Sequence, residues 1–232
     1  MRKAAILQSA YLPWRGYFDL MAYVDEFIIY DDVQISKNSD WRNRNRIQAS
    51  DRVLWITIPL SPKFRHGSLI EEVIISDQSS LINHLNMISR AYEKSQFFVE
   101  VLGLLTRVYE KKHTNLSQLN VDLLAEICRY LGITTRITRS SDYGISGSKS
   151  GRLALLTQAA DCTCYVSGPA AQAYIDEAEF RKRGLTVEWF NYDELNEYPQ
   201  SSKDFDGSLS IIDLLFNCGP DSRSFLPSLA KG

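Results

Sequence analysis

Residues 162–192 read CTCYVSGPAAQAYIDEAEFRKRGLTVEWFNY. CTCYVSG and TVEWFNY are rich in β-formers, and between them PAAQAYIDEAEFRKRG has a helical period that stops at Gly184. A strand, a helix and a strand in that order predict a parallel, doubly wound α/β sheet.

The same alternation continues on the N-terminal side. SKSGRLALLTQAAD (148–161) predicts a helix and TTRITRS (134–140) a strand; further upstream, AAILQ (4–8), EFIIYDD (26–32), VLWITIPL (53–60) and EEVIIS (71–76) read as strands. YFDLMAYV is a short helix between the first two strands. Three helical periods, SSLINHLNMISRAYEKS, QFFVEVLGLLTRVYEKK and NLSQLNVDLLAEICRYLG, form an insertion over about 79–131, closed by Gly132. DELNEYPQSSKDFDGSLS (193–210) is a polar loop leading to a last helix, SIIDLLFNCG, with Ser208 or Ser210 at its N-cap. No repeat or linker divides the chain, so residues 1–232 are expected to form a single Rossmann-like α/β domain.

The 232 residues suffice for a buried core without metal or disulfide. With 26 basic against 28 acidic side chains, the chain lacks the overall positive field that binds long nucleic acid. The first apolar run is broken by Gln8 and Pro13, too short for a signal sequence or a bilayer span, and the protein is expected in the cytoplasm. Cys128, Cys162, Cys164 and Cys218 have no metal-binding spacing and are expected in the core.

In an open parallel sheet, ligands sit beyond the carboxyl ends of the strands. Gln8, Asp31, Asp32, Ser167 and Gly168 each close a predicted strand, beside helix N-termini with unpaired N–H groups. In LQSAYLPWRGYF, Gln8 is placed to orient a polar ligand, while the rings of Tyr11, Trp14, Tyr17 and Phe18 read as packing on the sheet edge. Asp31 and Asp32 are suited to Mg²⁺, to sugar hydroxyls or to a general base, or else to capping a turn. Successive strand residues face opposite ways, so one of the two at most points squarely into a site.

WRNRNR (41–46) has guanidinium forks for carboxylate or phosphate and amides that donate and accept. It reads equally as a basic turn paired with Asp31 or Asp32 and as a binding element. GISGSKSGRLA (144–154) is a phosphate-type loop entering a helix, with Lys149 and Arg152 at hand, but it lacks the Walker A spacing. His84 lies mid-helix and His66 in a turn. The chain has no nucleophile elbow and no Ser-His-Asp order.

Taken together, LQSAYLPWRGYFDLMAYVDEFIIYDDVQ, WRNRNRI, WITIPL, a helical His followed by AY, YVSGPAAQAYID and Q-x4-F ahead of SLSIIDLLFNCG resemble the WbqC-like proteins over nearly the whole chain. The family-like positions are Gln8, Tyr11, Pro13, Trp14, Gly16 and Tyr17; then Asp31, Asp32 and Gln34; then Trp41, Arg42, Asn43, Arg44 and Asn45. His84, Ser167, Gly168, Tyr174, Gln200, Ser208, Ser210 and Asp213 follow. Family members often read QP where this chain has Gln8-Ser9, which leaves the turn before Tyr11 less rigid. A fainter resemblance, in layout, is to nucleotidylyltransferase-type domains, although Trp14 and Tyr17 stand where those enzymes carry histidines.

The resemblance implies a transferase that joins glycine, another amino acid or a small acyl group to a sugar in bacterial O-antigen or other surface-polysaccharide biosynthesis. On that reading Asp31 or Asp32 engages sugar hydroxyls or the attacking amine, and His84 is a base if its helix faces the cleft. Arg42 and Arg44 clamp an anion, with Lys149, Arg152, Ser208 and Ser210 completing the pocket. The expected partners are small molecules: a nucleotide-linked amino sugar and an amino acid or acyl donor. An adenylate made from ATP and Mg²⁺, an aminoacyl-tRNA and a carrier thioester all satisfy the sequence as donors, although the charge balance weighs against tRNA. A non-catalytic nucleotide-sugar binding module and nucleotidyl transfer are the rival readings.

Overall fold

A computed structural model of the chain describes residues 1–35, 41–50, 52–64 and 67–230. His66 and the residues between Ile35 and Trp41 lie outside the described residues.

Five strands form one all-parallel sheet: β1 (Lys3–Leu7), β2 (Glu26–Ile29), β5 (Arg136–Arg139), β6 (Cys164–Ser167) and β7 (Thr186–Trp189), in the order β5-β2-β1-β6-β7. The chain winds outward from β1 through β2 to β5, then crosses back to lay β6 and β7 on the other side of β1. This is the doubly wound Rossmann-like arrangement that the alternating pattern predicts, with its switch point between β1 and β6.

Both faces of the sheet are covered, which is why its central strands β1, β2 and β6 read as largely apolar runs. On one face Ala5, Phe27, Ile29 and Val166 pack with α1 (Arg15–Tyr23), α4 (Leu116–Leu131) and α7 (Ile211–Cys218) in the main core. On the other, Ala4, Ile6, Ile28 and Tyr165 pack against Ala154 and Leu156 of α5 (Lys149–Ala159) and Phe180 of α6 (Glu177–Arg181). Between β2 and β5 the chain inserts a hairpin, β3 (Arg44–Ala49) and β4 (Arg52–Thr57), followed by α2 (Ser79–Tyr92), α3 (Phe98–Tyr109) and α4. Asn115 caps α4 by accepting from the Gln118 amide at 2.9 Å, and Gly132 ends it in the left-handed region. A short helix, α8 (Pro227–Ala230), packs on α1. The four cysteines are buried and unpaired.

Three local expectations are corrected. EEVIIS is not a strand: a 3-10 turn at Ile70–Glu72 is followed by single bridges from Ile74 to Asn115 and from Ile75 to Leu60, so its apolar residues are buried without a continuous ladder. PAAQAYIDEAEFRKRG is split into a 3-10 turn, Pro169–Ala173, and α6, because the Asp176 side chain accepts from the Ala178 amide and starts a new helix there. WRNRNR is half turn and half strand, with 41–43 in a turn and β3 starting at Arg44. Its period-two alternation places Asn43, Asn45 and Ile47 inward and leaves Arg44 and Arg46 half-exposed on the outer face, where β4 adds Val53, Trp55 and Thr57.

Candidate functional site

At the switch point, β1 ends at Leu7 and the chain turns through Gln8 to Trp14 into α1. Gly16 is required at this entry, because a Cβ there would overlap the Trp14 indole. Tyr17, its phenol pushed well up by burial, donates to the Gln8 carbonyl at 3.0 Å. The Gln8 side chain accepts from Arg42, and Trp14 lies 5.0 Å from the Tyr192 ring. Across the crevice, Ser167 is buried beneath Tyr165, and Gly168 leaves room for the Tyr192 hydroxyl, 3.4 Å from where a Cβ would stand.

The two aspartates ending β2 take different parts, as strand alternation requires. Asp31 is 1% exposed; it accepts from the Ser9 amide at 2.8 Å and from Ser117 Oγ at 2.5 Å, and its carbonyl accepts from the Glu71 amide at 3.0 Å. It therefore ties the end of β1 to α4 and to the Ile70–Glu72 turn, with no oxygen turned toward solvent. Asp32 faces outward. Ser140 Oγ donates to it at 2.5 Å and Arg152 donates to its other oxygen. Arg152 also holds the Ile145 carbonyl at 3.0 Å, and its guanidinium lies 5.0 Å from the Tyr30 ring centroid.

An open cleft of about 510 Å³ is lined by Asp32, Glu71, Arg152 and the loop through Ser141, Gly144, Ile145, Ser146 and Gly147. Glu71 is fixed by its backbone, since its carbonyl also accepts from Asn115 Nδ2 at 2.6 Å. Burial, with the neighbouring Asp32 charge, raises its carboxyl pKa despite a hydrogen bond with Ser141 and the Arg139 charge. The loop enters α5 through Gly147 at φ +138° and Lys149 at φ +52°, and no side chain caps the helix's first turn. The cleft therefore sets a carboxylate of raised basicity beside a helix N-terminus, a combination suited to deprotonating one group while stabilising negative charge on another.

The hairpin packs beside the β1–α1 loop, outside the lining of this cleft. Asn43 Nδ2 donates to the Ile58 carbonyl at 2.9 Å and closes the open end of the hairpin, while Asn45 Nδ2 donates to the carbonyls of Leu12 at 2.7 Å and Tyr11 at 3.2 Å and hangs the hairpin on the β1–α1 loop. On its outer face the Arg44 guanidinium lies 3.6 Å from the Trp55 ring centroid, and Trp41 and Trp55 are 5.7 Å apart. Arg46 is engaged by Asp206 and Ser208.

Several sequence-predicted site residues lie elsewhere. His84 is in the core, 5% exposed and 2.8 Å from the Tyr11 hydroxyl, and burial lowers its pKa to about 4 against a hydrogen bond with the Thr57 backbone; its helix does not turn it to the cleft. Tyr11 is fully buried and bonded to Tyr109 as well. Asp213 is fully buried, accepting at 2.9 Å from each of Tyr92, Tyr198 and Gln200, and burial raises its pKa. Ser210 is spent on capping α7 and on the Leu12 carbonyl at 2.7 Å. Gln34 and Tyr174 are exposed, away from the cleft lining. What sequence reasoning missed was Glu71, hidden in a segment read as strand, together with Ser140, Ser141 and Trp55. Among the described residues, no group of three or more His, Cys, Asp or Glu could hold a metal ion, and no helix is long and apolar enough to cross a membrane.

The family model for the WbqC-like protein family matches residues 8–225. The chain is 47% identical over 227 residues to the "Uncharacterized protein Rv1507c" of Mycobacterium tuberculosis (strain ATCC 25618 / H37Rv), a match covering 97% of this chain and 98% of that one. No solved structure matches it.

Proposed function

The chain belongs to the WbqC-like protein family, and from that premise we propose that it is a transferase in bacterial O-antigen or related surface-polysaccharide biosynthesis, joining an amino acid such as glycine, or a small acyl group, to the amine of a nucleotide-linked amino sugar. The observation that carries this reading is Glu71, a carboxylate of raised pKa in the same cleft as Asp32, Arg152 and the uncapped start of α5.

The acceptor amine attacks the acyl carbonyl carbon and forms the new C–N bond. The proton it sheds passes to Glu71, and the donor's leaving group departs with its bonding pair. Charge developing on the carbonyl oxygen is met by the N–H groups that begin α5. Arg152 holds Asp32 and the Ile145 carbonyl, which fixes the cleft wall, and Gln8 with Arg42 orients the sugar at the end of β1. The donor enters already activated in this scheme.

Activation of the acyl group on this same protein by ATP is the second reading. It is favoured by one observation, that Asp32 and Glu71 line one cleft, since a Mg²⁺-nucleotide takes one or two carboxylates beside its phosphates.

The test is thermal shift of the purified chain with nucleotide-linked amino sugars, and with ATP, Mg²⁺ and amino acids, followed by mass spectrometry of the products. A ligand at a hundredfold over its Kd stabilises by about 2.7 kcal/mol. Acylated amino sugar formed from a preactivated donor supports the first reading, and pyrophosphate release that depends on an amino acid supports the second. Binding without either product overturns both in favour of a binding module.

A further inference from the structure

Arg44 and Arg46 alternate on one hairpin strand and have different surroundings. Arg46 is matched by Asp206 and Ser208, whereas Arg44 has no carboxylate partner among the described residues; the Nε of each is buried without a hydrogen bond. The Arg44 guanidinium instead lies over Trp55, 3.6 Å from the ring centroid, which preorganises the fork. Beside it, Trp41 is 51% and Trp55 45% exposed, an unusual surface for the largest apolar side chain, and their rings meet at 34°.

We propose that Trp41, Trp55 and Arg44 form a subsite for a nucleoside phosphate, with the base stacked on the Trp41 indole and the phosphate taken bidentately by Arg44. Aromatic faces and guanidinium planes are the surfaces on which bases stack, and one uncompensated fork matches one phosphate. A saccharide fits this face less well. Its hydroxyls need acceptors, and the carboxylate paired with this face, Asp206, already accepts from Arg46 and from the amide of Ser208. A polymer is disfavoured too, since the neighbouring guanidiniums of Arg42 and Arg46 are engaged by Gln8 and by Asp206. The inference rests on the reading of a nucleotide-linked substrate and says where its nucleotide sits, with Arg42 next along the chain toward the β1 end.

The experiment titrates UMP, AMP, uridine and glucuronate into the full chain, following tryptophan fluorescence and isothermal calorimetry. Expected are saturable quenching by UMP and AMP alike, because stacking tolerates any base, and binding of uridine weakened about tenfold or more by loss of the charged contact. Arg44→Gln weakens UMP by about tenfold or more, Arg44→Lys recovers part of that, and Trp41→Ala, at an exposed position, removes the quenching while the chain stays folded by circular dichroism. UMP binding unchanged in Arg44→Gln and Trp41→Ala overturns the subsite but leaves a nucleotide-dependent transferase standing. Glucuronate binding tighter than UMP overturns the subsite in favour of an acidic-sugar surface. Absence of any nucleotide binding to the wild-type chain overturns the subsite and the nucleotide-linked substrate together.

Discussion

Arg152 donates to the Asp32 carboxylate through one nitrogen and, through Nε at 3.0 Å, to the carbonyl of Ile145. One side chain thus neutralises the outward aspartate of β2 and pins the loop that forms the floor of the cleft. Both side chains of the pair are largely buried, 9% and 13% exposed, so removal of either partner strands a charge. Asp32→Ala and Arg152→Ala are each expected to lower stability by about 3 kcal/mol in urea unfolding. The double variant is expected to lose clearly less than the sum, and strict additivity would show that the pair is not coupled.

Glu71 separates catalysis from binding. Glu71→Gln keeps the shape of the cleft and removes the base, so turnover is expected to fall about 10²-fold or more while nucleotide affinity by calorimetry stays as in the wild type. The base must be ionised to act, and its pKa is raised. The rate should therefore climb with pH through a limb lying above the ordinary carboxylate range, and that limb should vanish in Glu71→Gln. An undiminished rate in this variant would remove Glu71 from the mechanism.

His84 links pH to stability rather than to turnover. Its folded pKa of about 4 lies below the ordinary 6.5, so the unfolded chain binds the proton more readily. Its contribution is complete above pH 6.5 and is lost as pH falls from there toward 4, a change of about 3 kcal/mol. Urea unfolding across that window should show the slope in the wild type, and His84→Gln should flatten it whatever its effect on stability at neutral pH.

Gly16 inverts the usual helix preference. Alanine in place of glycine inside a helix ordinarily stabilises by up to about 1 kcal/mol. Here the added methyl meets the Trp14 indole, so Gly16→Ala is expected to lower the melting temperature, with a loss of about 1–3 kcal/mol, and to disturb Trp14 fluorescence.

The parallel sheet was legible because its three central strands, β1, β2 and β6, are buried on both faces and read as largely apolar runs, from AAIL through CYVS. Of the hairpin, β4 was legible in VLWITIPL but β3 was not, because the inward positions at and just before its start are Asn45 and Asn43, which satisfy backbone carbonyls instead of packing as hydrocarbon. The R-N-R-N-R alternation is itself the period-two signal, and hydrophobicity alone cannot see it. Asp31 and Asp32 were legible as a pair at a strand end with one side chain outward, but which of them points into the cleft depends on Ser117 and Arg152, far along the chain. Glu71 was beyond reach for the same reason. Its basicity comes from burial and from the Asp32 charge, neither of which its own segment encodes.

The loop that leaves β1 is held from the far end of the chain: Ser210 Oγ donates to the carbonyl of Leu12, and the Ile211 amide donates to that of Pro13 at 2.8 Å. During synthesis the Pro13 carbonyl must therefore wait for its partner, and the Leu12 carbonyl, already held by Asn45, for its second, until α7 has left the ribosome. The nascent chain carries an unfinished crevice through most of its translation, and closure over so long a sequence separation belongs to the slow class of folding events. A ribosome stalled shortly before Ser210 would display a protein with its strands made and its first loop still open, the stage at which chaperones would find it.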